Sequence, residues 1–147
     1  MISGDPIVIL LADDDEDDRM MTRKAFEKHR LANDFYTVND GEELMKFVLR
    51  QGKYAGAPRP GLILLDLNMP RKDGREALKE IKSNENLRSI PTVVLTTSSE
   101  EEDILKSYNL GANSYVTKPV GFESLVKIVG SLGQYWFQVV KLPSSPQ

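Results

Sequence analysis

Cysteine is absent from the 147 residues, which removes disulfides, thiolate metal sites, iron–sulfur clusters and any cysteine nucleophile, and suits a reducing cytoplasm. No apolar run approaches the roughly 20 residues that a membrane span needs, and the N-terminus lacks a signal-peptide pattern. A cytoplasmic protein without membrane contact is therefore expected. Histidine occurs once, as His29 near the end of the first predicted helix, where it reads as an exposed helix-end residue and not a phosphodonor. Neither low-complexity tracts nor internal repeats occur. Hydrophobic residues at 40% and charged residues at 28% are ordinary globular values and exclude wholesale disorder. One domain is the expectation for this length.

What is present in excess is acid in one place. Residues 13 to 18 read Asp-Asp-Asp-Glu-Asp-Asp. The net charge is −3, but with these six set aside, 19 Lys and Arg face 16 remaining acids. A chain with one concentrated anionic spot is a poor nucleic-acid binder and a better holder of a hard cation. The run also directly follows an apolar stretch, Ile7-Val8-Ile9-Leu10-Leu11-Ala12. Apolar runs without alternation predict strands buried on both faces, as in a parallel sheet. Similar runs recur at Leu62–Asp66 and Thr92–Thr96, with a shorter one at Ser114–Thr117 and a mixed one at Asp34–Val38.

Helices are predicted between these runs at about 16–29, 41–50, 74–83, 100–110 and 121–133. Asp40-Gly41-Glu42-Glu43 and Ser99-Glu100-Glu101-Glu102 read as capping boxes with acids in the first turn, and Gly111 reads as a C-terminal stop. Residues Asp15 to Asp18 read as a cap and first turn. Five strands alternating with five helices predict a doubly wound α/β sandwich with a mostly parallel sheet. Ligands of such sheets bind beyond the C-terminal strand ends. The first strand ends in Asp13 and Asp14, the third in Asp66, the fourth in Thr96 and the fifth in Thr117-Lys118-Pro119. The Gly/Pro-rich loop 51–60 falls on the opposite face and is assigned no chemistry.

Three carboxylates in contact repel one another by about 4 kcal/mol per pair at ~4 Å and an effective dielectric near 20. A divalent oxygen-seeking cation such as Mg²⁺ relieves that repulsion. Thr96 can donate to a phosphoryl oxygen and the Lys118 ammonium can pair with another, an arrangement suited to in-line phosphoryl transfer onto a carboxylate.

These residues resemble the receiver domains of response regulators, the CheY-like phosphoacceptor fold, over about residues 5 to 133, and the resemblance implies a (βα)5 flavodoxin-like three-layer sandwich with a central five-stranded parallel sheet, order 2-1-3-4-5. The marks are the acid pair after the first strand, Asp66-Leu67-Asn68-Met69-Pro70 with Asp73-Gly74, Thr96-Thr97, Gly111-Ala112 and Lys118-Pro119. The loop 51–60, the run Thr96–Ser99 and the tail Tyr135-Trp136-Phe137 are further similar to stand-alone regulators partnered with bacterial phytochrome kinases. The resemblance implies that Asp66 accepts a phosphoryl group from a sensor histidine kinase, and that the receiver catalyses only its own phosphorylation and dephosphorylation. It further implies Mg²⁺ held by Asp14, Asp66 and the backbone carbonyl of Asn68, with Asp13 on metal-bound water. Lys118 would bind the phosphoryl group beside a cis bond to Pro119, and Thr96 and Tyr115 would form the switch pair. Tyr115 stands equally open to being an ordinary edge-strand aromatic. Many family members carry Glu where Asp13 stands.

Two enzyme-like readings fare worse. A haloacid-dehalogenase-type phosphatase needs an acid where Asn68 stands, and an amide cannot cycle a proton at neutral pH. A flavin carrier needs a hydroxyl- and Gly-rich phosphate loop where this chain has six acids. Beyond Lys118, 29 residues remain, so a C-terminal tail at 134–147 and no output domain are expected. Phe122, Leu125, Val129, Leu132, Trp136 and Val139 form an apolar series running past the helix. With the aromatic cluster it suggests a homodimer or partner surface built by the fourth helix, fifth strand, last helix and tail.

Overall fold

The computed structural model describes residues 8–29, 34–66, 69, 71–96, 114–117 and 126–127. Its elements in chain order are β1 (Val8–Ala12), α1 (Glu16–His29), β2 (Asp34–Val38), α2 (Gly41–Leu49), a single 3₁₀ turn (Gly52–Tyr54), β3 (Leu62–Asp66), α3 (Gly74–Ser83), β4 (Thr92–Thr96) and β5 (Ser114–Thr117). Val126 and Lys127 are helical. The helix expected at 100–110, the Ser99 capping box and the Gly111 stop lie outside the described residues, as does the helix at 121–133 apart from those two positions.

All strand pairs are parallel, and the sheet runs β2-β1-β3-β4-β5. Parallel neighbours cannot be joined by a tight hairpin, and α1, α2 and α3 lie in the connections that precede β2, β3 and β4. The faces that α1 and α2 cover follow from register and ring contacts. Tyr36 pairs with Leu10, and its ring lies 5.5 Å from Phe47 of α2. Phe35 pairs with Ile9, and its ring lies 5.5 Å from Phe26 of α1. Successive strand residues point to opposite faces, so α1 covers one side of the sheet and α2 the other.

The buried cluster on the α2 side joins Leu10, Ala12, Ile63, Leu65 and Val94 of the sheet to Leu44, Phe47 and Val48 of α2 and Ala77, Leu78 and Ile81 of α3. Ile9, Leu11, Leu62, Leu64 and Val93 are buried as well, on the alternate face. Burial on both faces explains why β1 and β3 read as continuous apolar runs. Full burial of each such side chain contributes about 1.5–3 kcal/mol.

The predicted helix starts are made by side chains. Asp15 caps α1 by accepting from the Asp18 amide at 3.0 Å, and Glu16, Asp17 and Asp18 occupy the first turn. Asp40 caps α2 by accepting from the Glu43 amide at 2.8 Å. Glu43 returns the contact, accepting at 3.0 Å from the amide of Asn39, one residue before the cap. This amide, with the Tyr54 hydroxyl and the Lys53 ammonium, outweighs partial burial and holds the Glu43 carboxyl below its ordinary value. Asp73 caps α3 in the same manner.

Candidate functional site

The β1–β3 ladder pairs Ala12 with Leu65, so the next residues, Asp13 and Asp66, leave adjacent strands at the same C-terminal edge. Carboxylate oxygens of Asp13, Asp14 and Asp66 all lie within 4.8 Å of one another. Asp13 is fully buried and Asp66 nearly so, whereas Asp14 is exposed. Backbone contacts hold the acid turn. The Asp13 amide donates to the Val38 carbonyl at 3.1 Å, the Asp15 amide donates to Asp13 Oδ1 at 2.9 Å, and Arg19 donates to the Asp13 carbonyl at 2.8 Å.

Two of these three carboxylates are withdrawn from water, and all have hard oxygen donors. A site of this kind fits a divalent oxygen-seeking cation, which offsets repulsion that nearby solvent only partly screens. Asp15 is occupied as the α1 cap, and Asp17 and Asp18 sit in the helix, as the cap reading expects.

Asp66 pairs with Leu95, one residue before the end of β4, and Thr96 pairs with Thr117 at the end of β5. The backbone of Thr96 therefore reaches the edge that bears the acids. Tyr115 lies two residues back from Thr117, paired with Val94. The side chains of Thr96 and Tyr115 lie outside the described residues, as do Asn68, Lys118 and the Lys118–Pro119 bond.

A search against known families matches residues 9–130 to the response regulator receiver domain. The chain belongs to that family. It is 43% identical over 143 residues to the response regulator Rcp1 of Synechocystis, covering 97% of each chain. The crystal structure of the Mn²⁺-bound form of Rcp1 superposes with a TM-score of 0.87, covering 95% of this chain and all of that one. The phosphorylated cyanobacterial phytochrome response regulator RcpA, also 43% identical, superposes at 0.90 with the same coverage. The protein is thus a receiver-domain response regulator with a carboxylate cluster at the C-terminal strand edge.

Two features near the site have no strong signal in the sequence. Arg71, at φ 63°, forms an ion pair with the nearly buried Asp40 at 3.2 Å. Gly41 approaches Lys72 so closely that a Cβ would collide with the Lys72 carbonyl. A left-handed arginine has no local sequence signal, but Gly41 following a cap residue could have suggested close backbone approach. The loop 51–60 does fall at the opposite end of the strands. Pro58, Arg59 and Pro60 line an open cleft of about 980 Å³ there, and Arg59 ties the loop down by donating to the Asn86 carbonyl at 2.6 Å and Ser89 Oγ at 2.9 Å. Among the described residues, no helix is long and apolar enough to cross a membrane.

Proposed function

We propose that Asp66 is the phosphoacceptor and that its reaction depends on Mg²⁺. The observation that carries this reading is the convergence of Asp13, Asp14 and Asp66 within 4.8 Å at one strand edge, with Asp66 at the end of the middle strand of the sheet. Asp14, Asp66 and the Asn68 carbonyl would hold the cation, with Asp13 on its water. Bound there, the cation neutralises carboxylate charge and admits an anionic phosphoryl group. A carboxylate oxygen of Asp66 attacks the phosphorus of a kinase phosphohistidine. The new O–P bond forms as the P–N bond breaks, and the imidazole departs. Thr96 and Lys118 bind the transferred group, Lys118 beside a cis bond to Pro119, and Thr96 with Tyr115 passes the change to the surface.

The donor is a sensor histidine kinase. Similarity to Rcp1 and RcpA supports one of the phytochrome type, because RcpA is a phytochrome response regulator. On this reading the chain is a cytoplasmic receiver spanning residues 5–133 with a tail at 134–147. It completes a doubly wound (βα)5 sandwich and turns over no substrate beyond its own acyl phosphate. Output runs through homodimer or partner contacts on the fourth helix, fifth strand, last helix and tail, without nucleic acid or membrane.

Incubation with acetyl phosphate and Mg²⁺, read by intact mass and peptide mapping, tests the assignment. One phosphoryl group on the Asp66 peptide, lost in EDTA, is expected. Full phosphorylation of Asp66→Ala would overturn it.

A further inference from the structure

We infer that Asp40 and Arg71 are positioning residues for the acid cluster, because the Val38–Gly41 corner touches both the turn that carries Asp13 and Asp14 and the segment that follows Asp66 of β3. The inference rests on the reading of that cluster as a divalent-cation site. The β1–β3 ladder stops at Ala12 and Leu65, one residue short of the acids. Beyond that point the spacing of Asp13 and Asp14 from the segment after Asp66 depends on loop contacts, and those contacts meet at one corner.

On one side, the Asp13 amide donates to the Val38 carbonyl at 3.1 Å. On the other, three contacts hold the segment that follows Asp66. Met69 is buried in the same cluster as Val38 and Leu44. Arg71 Nη1 lies 3.2 Å from Asp40 Oδ2, and the Lys72 backbone abuts Gly41. The two oxygens of Asp40 divide the work: Oδ1 caps α2 and Oδ2 takes the arginine. The segment after Asp66 is thus tied at two described points, the β3–β4 ladder at Asp66 and the ion pair at Arg71.

Arg71 adopts a left-handed backbone that favours glycine, at φ 63°. A non-glycine residue is strained in that region, so the loop tolerates strain at the position that supplies the guanidinium. Arg71 remains 65% exposed on its side chain while Asp40 is 6% exposed, so the cation reaches in from solvent to a withdrawn carboxylate. Breaking the pair leaves the strands intact and frees the loop.

The test is Mn²⁺ titration by calorimetry, with thermal melts in EDTA, on the full chain. Asp40→Asn keeps an oxygen to cap α2 but loses the charge, and Arg71→Gly relieves the backbone while deleting the guanidinium. Both should bind Mn²⁺ about threefold to tenfold more weakly, less than the ten- to hundredfold typical of partners bonded directly to a metal ligand. Asp40→Asn/Arg71→Gly together should be no weaker than either alone, since both remove one interaction. Arg71→Lys should recover part of the affinity. Arg71→Gly should melt no lower than the parent, which separates positioning from simple destabilisation. Asp14→Asn serves as the control for the site. Unchanged Mn²⁺ affinity in Asp40→Asn and Arg71→Gly, with loss in Asp14→Asn, overturns the positioning inference alone. Unchanged affinity in Asp14→Asn overturns the cation-site reading itself. Additive losses in the double variant also reject the bridge.

Discussion

Asp14 and Asp17 stand three residues apart in one acidic run, yet their surroundings predict opposite effects of their charges on stability. Asp14 has two carboxylate partners within 4.8 Å. At that distance a pair repels by about 3.5 kcal/mol at an effective dielectric of 20 and about 0.9 kcal/mol in bulk water. Asp14 is exposed, so its two repulsions lie toward the lower figure and are further screened by salt. Asp14→Asn should therefore stabilise the metal-free protein by about 1–3 kcal/mol, raising its melting temperature by roughly 3–10 °C for a chain of this size.

Asp17 sits in the first turn of α1, where the helix dipole favours an anion. Asp17→Asn should cost about 0.3–1 kcal/mol and lower the melting temperature by a degree or a few. In the proposed cation site, added Mg²⁺ should close that gap. At a hundred times its dissociation constant the cation stabilises a competent site by about 2.7 kcal/mol, and Asp14→Asn should lose most of that gain while Asp17→Asn keeps it. Differential scanning calorimetry in EDTA and in Mg²⁺ reads all four states. A lower metal-free melting temperature for Asp14→Asn, or equal loss of the Mg²⁺ response in both variants, refutes the electrostatic argument.

Glu43 is held below its ordinary pKa of 4.5, first by the Asn39 amide. Its stabilisation is therefore in place above that pH and drains as the pH falls through the lower folded value; urea unfolding of Glu43→Gln should lie below the parent near neutrality and converge with it in acid. Lys118→Ala and Thr96→Ala should still bind Mg²⁺ but lose the conformational response to a phosphoryl mimic, because in the proposed site both contact the added phosphoryl group and only such differential interactions shift the equilibrium. An unchanged response in both, read by amide exchange, counts against their assigned roles. Trp136→Ala should reduce self- or partner association in sedimentation velocity; unchanged association with a large drop in melting temperature makes the residue structural and removes the interface.

Much of this architecture was legible along the chain because its signals are local. β1 and β3 are buried on both faces, so their residue types carry no alternation and mark parallel strands without any partner in view. Asp15, Asp40 and Asp73 precede helices because a short acceptor side chain satisfies amides that the helix leaves open, a preference decided within four residues. The acid pair and Asp66 could be placed at one edge by the direction rule for parallel sheets alone.

The corner that touches the acid turn and the segment after Asp66 was not legible, and the reason is distance along the chain. Arg71 and Asp40 are 31 positions apart, and nothing near either announces the other. Their pairing exists only because β1 lies between β2 and β3, which brings the β2–α2 turn and the segment after Asp66 to the same edge of the sheet. The same holds for Gly41, whose lack of a side chain matters only once the Lys72 backbone is packed against it. Residue types and short spacings determined which chemistry the chain carries. The tertiary structure decided how firmly those groups are held, because the contacts that restrain the loops form between segments that meet only after the sheet has assembled.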